Sequence, residues 1–83
     1  MQPKSQHFQD ILKLNEDQSW EGHDTIQNIE YLHDPNNPST ESLLVNAKEG
    51  KNYKDLFILI KPLISDKTEM RIGPDSIELI DLI

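Results

Sequence analysis

Two histidine–aspartate pairs are the residues whose types could support catalysis or metal binding. His23 precedes Asp24 and His33 precedes Asp34, and the chain has no cysteine. A catalytic or metal site needs converging side chains together with a nucleophile or further ligands. A spacing of ten residues does not bring the pairs together on a strand or a helix, and no serine lies in a nucleophile-elbow sequence. We therefore interpret both pairs as solvated surface residues and predict that the protein is not an enzyme.

A second candidate is an incomplete calcium-binding loop. Asp17, Ser19, Glu21 and Gly22 occupy the first, third, fifth and sixth positions of an EF-hand pattern. That pattern needs a bidentate carboxylate at its twelfth position, and Asn28 stands there. The three glycines are also too far apart to cradle a phosphate. The sequence thus predicts a polar acidic loop, and we expect no metal or cofactor.

Acidic charge is concentrated in one segment, 14–47, which contains no lysine or arginine. The segment holds seven acidic residues, and the other eight acids are balanced by all eight bases, so the net charge of −7 is that of the segment. One sign concentrated in this way creates a negative field that attracts basic partners. It also disfavours direct binding to nucleic acid, whose phosphates require lysine and arginine. The alternative is a solvated surface that merely lacks bases.

Trp20 is the only tryptophan, and it lies in the least apolar part of the acidic segment. Tryptophan is frequent at interface hot spots because it buries a large area and keeps one polar group. The alternative, which we favour, is that Trp20 covers a small core. Unpaired carboxylates are costly to bury, so we expect most of the acids to form one exposed patch near Trp20. The predicted partner-binding residues are Trp20 with Glu16, Asp17, Glu21, Asp24, Glu30 and Asp34.

Length and composition predict one small domain, 1–83. It combines the acidic segment 14–47 with an aliphatic core-forming region, 53–83. With 35% hydrophobic and 28% charged residues the chain is typical of globular proteins. The first residues lack an apolar signal region, and the longest apolar run, 56–60, is far shorter than the ~20 residues of a membrane span. We expect a soluble protein of the cytoplasm.

The first half of the chain predicts a helix followed by an ambiguous element. Phe8, Ile11 and Leu12 fall on one face of a helix over 5–14, with Ser5 as its N-cap. Residues 24–33 fit both a helix with a capping box and a strand, and we favour a strand or an irregular extended segment because β-branched and aromatic residues recur. Residues 34–39, with two prolines and two asparagines, predict a surface loop.

The second half of the chain predicts strands. Residues 42–47 and 53–61 flank a short polar stretch with a glycine, which favours a hairpin. The alternative is a helix that begins after Asn52 and presents Leu56, Leu59, Ile60 and Leu63 on one face. We favour the strand. Residues 70–72 and 77–83 predict a second hairpin around Gly73 and Pro74.

The segment 75–81 resembles a SUMO-interacting motif, with an aliphatic core and acidic neighbours. The resemblance implies that it could add a strand to a partner's sheet. We favour a structural strand instead, because removing 77–83 would take away much of the available core.

Taken together, these patterns predict an α+β fold in which an N-terminal helix packs on an antiparallel sheet formed mainly by the C-terminal half. The predicted core residues are Phe8, Ile11, Leu12, Leu56, Ile58, Ile60, Leu63, Ile72, Ile77 and Leu79. For function we expect a binding module or inhibitor that engages a basic surface, such as the nucleic-acid-binding groove of a partner protein. The alternative is an accessory subunit that uses an apolar C-terminal strand edge. We expect no membrane partner.

Overall fold

Two helices pack on one face of a four-stranded antiparallel sheet in the computed structural model, which describes residues 3–17 and 19–83 and, of Glu21, the backbone alone. The helices are α1 (Gln6–Asn15) and α2 (Tyr53–Ile60). The strands are β1 (Ile26–Leu32), β2 (Thr40–Ala47), β3 (Glu69–Ile72) and β4 (Ser76–Leu82). They lie side by side in the order β1-β2-β4-β3. This α+β architecture confirms the predicted fold class.

Helix α1 forms where its apolar spacing predicted it. Phe8 and Ile11 are fully buried and Leu12 is partly buried against the same core. Ser5 is the N-cap in backbone conformation, but its hydroxyl makes no capping hydrogen bond. The hydroxyl instead donates a hydrogen bond to Asp81 of β4.

Strand β1 confirms the preference for a strand over 24–33. It pairs antiparallel with β2, and an irregularity between Ile26 and Asn28 shifts the register. Asp24 does not cap a helix; it ends a short 3-10 turn, Glu21–Asp24, that leads into the strand. The predicted surface loop, 34–39, is exposed throughout.

The predicted strand over 53–61 is wrong, because this segment forms α2. Asn52 caps the helix: its side chain accepts a hydrogen bond from the Lys54 amide at 2.9 Å, and Asp55 accepts one from the Asn52 amide at 3.0 Å. Gly50, at φ +87°, takes the left-handed conformation that turns the chain just before this cap. Pro62 falls in a 3-10 turn after the helix, where it breaks no helical hydrogen bond. The hairpin expected between 42–47 and 53–61 is therefore also wrong.

The C-terminal hairpin is confirmed, but its second strand does not lie at the edge of the sheet. Strand β4 is bonded to β2 on one side and to β3 on the other. A strand adds to a partner's sheet only through an unpaired edge. In the folded chain, residues 75–81 therefore serve as a central structural strand rather than as a short linear motif.

The core lies between the helices and the inner face of the sheet. Six predicted residues are fully buried there: Phe8, Ile11, Leu56, Ile60, Ile77 and Leu79. Leu12 and Leu63 pack partly against it. Ile58 and Ile72 are wrong predictions, because they are 73% and 53% exposed. Ile58 lies on the outer side of α2, and Ile72 ends the short edge strand β3.

Three hydrophobic residues of the buried core were not predicted, namely Ile26, Leu43 and Val45 of β1 and β2. The acidic segment 14–47 thus contributes to the core as well as to the surface. None of the described helices is long and apolar enough to cross a membrane.

Candidate partner-binding site

The predicted binding acids whose side chains are described are exposed, but they lie in separate places. Glu16 and Asp17 follow α1, and Asp24 precedes β1 at the same end of the sheet, where Asn15 and His23 line one groove. Asp34 follows β1 at the opposite end, and Glu30 lies between them on the strand. A seven-residue strand is about 20 Å long. The acids therefore extend along β1 instead of forming one patch; the side chain of Glu21 lies outside the described residues.

These exposed acids have no lysine or arginine partner among the described residues. Among the described residues, the only ion pair that involves a lysine or an arginine joins Arg71 to Glu78 at 3.9 Å. Asp24 lies 3.2 Å from His23, and its side chain is 79% exposed. The charge of these described acids is thus not neutralised by a direct ion pair with lysine or arginine.

The calcium-loop residues that are described stabilise a turn. Asp17 Oδ1 accepts hydrogen bonds from the Ser19 hydroxyl at 2.7 Å and from the Ser19 amide at 3.0 Å. The hydroxyl and then the amide of Ser19 lower the pKa of Asp17. Among the described side chains, which exclude that of Glu21, no group of three histidine, cysteine, aspartate or glutamate residues is placed to hold a metal ion.

Trp20 packs partly buried against the core, which agrees with the favoured interpretation of a lid. Gly22 makes this position possible. A Cβ atom at Gly22 would lie only 2.5 Å from the Trp20 ring, so the ring occupies the space that any other residue would fill.

Gly22→Ala is therefore expected to displace the Trp20 ring from the core. We expect a red-shifted tryptophan emission and a loss of about 1–3 kcal/mol of unfolding free energy, as for other overpacked sites. Urea unfolding followed by fluorescence measures both. Gly50→Ala is the control. An alanine at φ +87° is strained, but nothing lies within 4 Å of its Cβ atom, so the tryptophan emission should stay unchanged. An unshifted Gly22→Ala emission would show that the ring does not rest on Gly22.

Among the acids of the segment whose side chains are described, Glu41 alone is buried, at 1% exposure. Its Oε1 accepts a hydrogen bond from the Ser5 amide at 2.7 Å. Its Oε2 accepts bonds from the Lys4 amide at 2.9 Å and from the Tyr31 hydroxyl at 2.8 Å. The carboxylate thus binds the backbone just before α1, where a helix leaves amide groups unpaired.

Hydrogen bonding keeps Glu41 ionised inside the protein. Burial raises its pKa, but the bonds from Ser5, Lys4 and Tyr31 together outweigh burial, and the pKa falls below its ordinary value. Sequence reasoning did not identify this role. The available signal was alternation, because Glu41 shares its face of β2 with buried Leu43 and Val45.

Asp81 extends this polar cluster directly across the sheet from Glu41. The Ser5 hydroxyl donates to Asp81 Oδ2 at 2.7 Å, and His7 Nε2 lies 3.2 Å from the same oxygen. Thr68 Oγ1 lies 3.3 Å from His7 Nε2 as well. A catalytic relay uses both ring nitrogens of histidine, one toward the acid and one toward the nucleophile. Here His7 Nε2 alone faces both the Asp81 carboxylate and the Thr68 hydroxyl. The cluster therefore attaches α1 to the sheet and does not have the geometry of a relay.

Tyr31 should report on this cluster at alkaline pH. Burial first, and then the bond to the Glu41 carboxylate, raise the pKa of Tyr31 from 10.0 to about 12. The unfolded chain loses this proton near pH 10, so stability should fall as the pH rises from 10 toward 12. We expect ultraviolet titration of the Glu41→Gln variant to show the Tyr31 pKa moved part of the way back toward 10.0, because burial, the larger cause of the shift, remains. An unmoved Tyr31 pKa would contradict the coupling.

The side of the sheet opposite the helices has no covering element among the described residues; we call it the open face. Its aliphatic residues are Leu32, Leu44, Ile80 and Leu82, and its charged residues are Glu30, Glu69, Glu78 and Arg71. The bond from Asn46 to Asn28 at 3.0 Å and the Arg71–Glu78 pair run across this face. Leu82 is 77% exposed and Leu32 is 41% exposed.

No protein-family model, curated protein sequence or solved structure matches this chain.

Proposed function

We propose that this chain is a non-enzymatic binding module or inhibitor whose acidic surface engages a basic surface of a partner protein. The observation that carries the proposal is that the acids are exposed and lack basic partners. Apart from buried Glu41, every carboxylate side chain of segment 14–47 that the structure describes is exposed, and none has a lysine or arginine within ion-pair distance. Such groups add to the association rate and to electrostatic complementarity without first breaking an internal pair.

The shape of the acidic surface favours an extended basic partner. From Asp24 through Glu30 to Asp34 the carboxylates extend over the length of β1, about 20 Å or slightly more. A groove that binds nucleic acid presents lysine and arginine along a similar path, because phosphates recur along the backbone. We therefore propose such a groove as the partner surface, with no direct contact of this chain to nucleic acid.

A cytoplasmic location forms part of the proposal. The chain has no cysteine, which is compatible with a reducing compartment.

Neutralising the acids along β1 should slow association with the partner. We expect the triple variant Asp24→Asn, Glu30→Gln, Asp34→Asn to reduce the association rate about tenfold at low salt. The dissociation rate should change less. The partner is first recovered by pull-down from the native host, and rates are then measured by surface binding at several salt concentrations. Folding should be unchanged or slightly improved, since repulsion falls.

A variant of equal charge provides the control. Glu49→Gln, Asp66→Asn, Asp75→Asn also removes three exposed acids, but none of them lies in the acidic segment. If both triple variants slow association equally, only net charge matters and the surface along β1 is not the site. If neither does so at low salt, the proposed function is wrong.

The second candidate, an accessory subunit of a larger assembly, is favoured by the aliphatic residues of the open face. The predicted apolar strand edge is not present, because β4 lies inside the sheet. Its outward residues Ile80 and Leu82 would form the interface instead. Binding of that kind should hardly weaken with salt, whereas binding through the acids should weaken steeply.

A further inference from the structure

The open face combines an aliphatic patch with acidic neighbours. In the strand register Leu32, Ser42 and Ile80 lie in one row across β1, β2 and β4. The next row places Leu44 between Glu30 and Glu78. Leu44 is thus a diagonal neighbour of both Leu32 and Ile80, within reach of long side chains. Leu82 extends the patch along β4.

We propose that the open face binds an amphipathic helix of the partner protein, with aliphatic residues on one side and lysine or arginine on its flanks. This inference rests on the proposed function and identifies the surface and the partner element. Helices that cover a sheet bury an apolar stripe against it, as α1 and α2 do on the inner face. A third helix on the open face would complete a three-layer arrangement.

Charge determines which helix fits. Three glutamates, Glu30, Glu69 and Glu78, border the patch, and Arg71, already paired with Glu78, is the one base among the residues of this face. Basic flanks on the incoming helix would meet these carboxylates. A second copy of this chain would instead place glutamates against glutamates, and like charges facing each other are unfavourable. The charges therefore favour a basic partner over a homodimer through this face.

The proposal is tested with a synthetic peptide and the full chain. The probe has about 18 residues, since shorter isolated helices are marginal in water. It carries leucines at i, i+3, i+4 and i+7 and lysines on both flanks; a twin peptide carries glutamates in place of the lysines. Titration into the isotope-labelled chain should shift the amide resonances of Leu44, Ile80 and Leu82. The glutamate twin should bind at least about tenfold more weakly at low salt.

Two exposed aliphatic residues form a matched pair of variants. Leu82→Asn removes a side chain of the open face that is 77% exposed, and Ile58→Asn removes one of α2 that is 73% exposed. Both should fold, because neither residue is in the core. Loss of a leucine buried in the complex should raise the dissociation constant of the lysine peptide about tenfold. Ile58→Asn should leave the dissociation constant within about twofold, as for surface changes generally.

Several outcomes would overturn the inference. Shifts confined to the free edge of β1 would indicate an added strand, and equal binding of both peptides would show that charge does not select the occupant. Sedimentation showing a dimer that Leu82→Asn abolishes would identify a second copy as the occupant. If neither peptide binds, while the triple variant along β1 still slows the natural partner, the inference fails and the proposed function stands. If that variant also has no effect, both fail.

Discussion

Glu41→Gln is expected to reduce the free energy of unfolding by about 2–4 kcal/mol, because three donors would lose a buried ionised acceptor. The backbone N–H groups of Lys4 and Ser5 point at the Glu41 carboxylate from just before α1. A glutamine side chain would place its own NH₂ donors against these N–H donors, and donors cannot bond to donors. Urea unfolding monitored by circular dichroism gives the value. For a small domain this is a large fraction of the total stability.

The pH dependence of stability checks the same residue independently. Hydrogen bonds lower the pKa of Glu41 below its ordinary value of 4.5, so the unfolded chain takes up this proton first. The stability that Glu41 contributes is complete above about pH 4.5 and is lost as the pH falls through its folded pKa. Glu41→Gln should therefore lose less stability than the parent between neutral and strongly acid pH. Glu49→Gln is the control, because Glu49 is exposed, and its free energy of unfolding should match that of the parent in both experiments. If Glu41→Gln also matched the parent, the stabilising role of Glu41 would be wrong.

Leu79→Ala should strongly destabilise the fold, with a loss of about 2–5 kcal/mol of unfolding free energy. Leu79 is fully buried in the central strand, and it pairs with Leu43 on one side and Met70 on the other. Ile77→Ala, next along the same inner face, should behave similarly. Thermal or urea unfolding measures both.

Leu82→Ala is the matched control in the same strand, because Leu82 is 77% exposed. It should change the free energy of unfolding by no more than about 0.5 kcal/mol. If Leu79→Ala melts within a few degrees of the parent while remaining folded, β4 would be peripheral to stability and its central position would need another explanation.

Helix α2 illustrates how far the sequence determined the fold. The run from Leu56 to Ile60 is wholly apolar, and periodicity cannot separate a buried strand from a short helix in such a run. The Asn52–Asp55 capping box is a helix signal, and the alternative beginning at Asn52 was the correct one. For α1 and for the hairpin around Gly73 and Pro74, spacing and turn residues agree with tertiary packing, so those elements were predictable.

The candidate site was predictable in exposure but not in arrangement. Charge alone indicated that Asp24, Glu30 and Asp34 would face solvent, and the structure places them there. Their separation along β1 depends on the choice of strand over helix, which sequence left open. The burial of Glu41 depends on Ser5 and Lys4, more than thirty residues away in sequence, and no local pattern reports such a contact.

The central position of β4 also affects how quickly the chain can fold. Strands β1 and β2 are adjacent in sequence and can pair early, and so can β3 and β4. Joining the two hairpins requires contacts such as Val45 with Ile77, which close a loop that contains all of α2. Forming such distant contacts lowers the conformational entropy of the chain before the packing of side chains stabilises the new arrangement, and folding is therefore slower. The assembly of β2 against β4 is therefore the step that we expect to limit the folding rate.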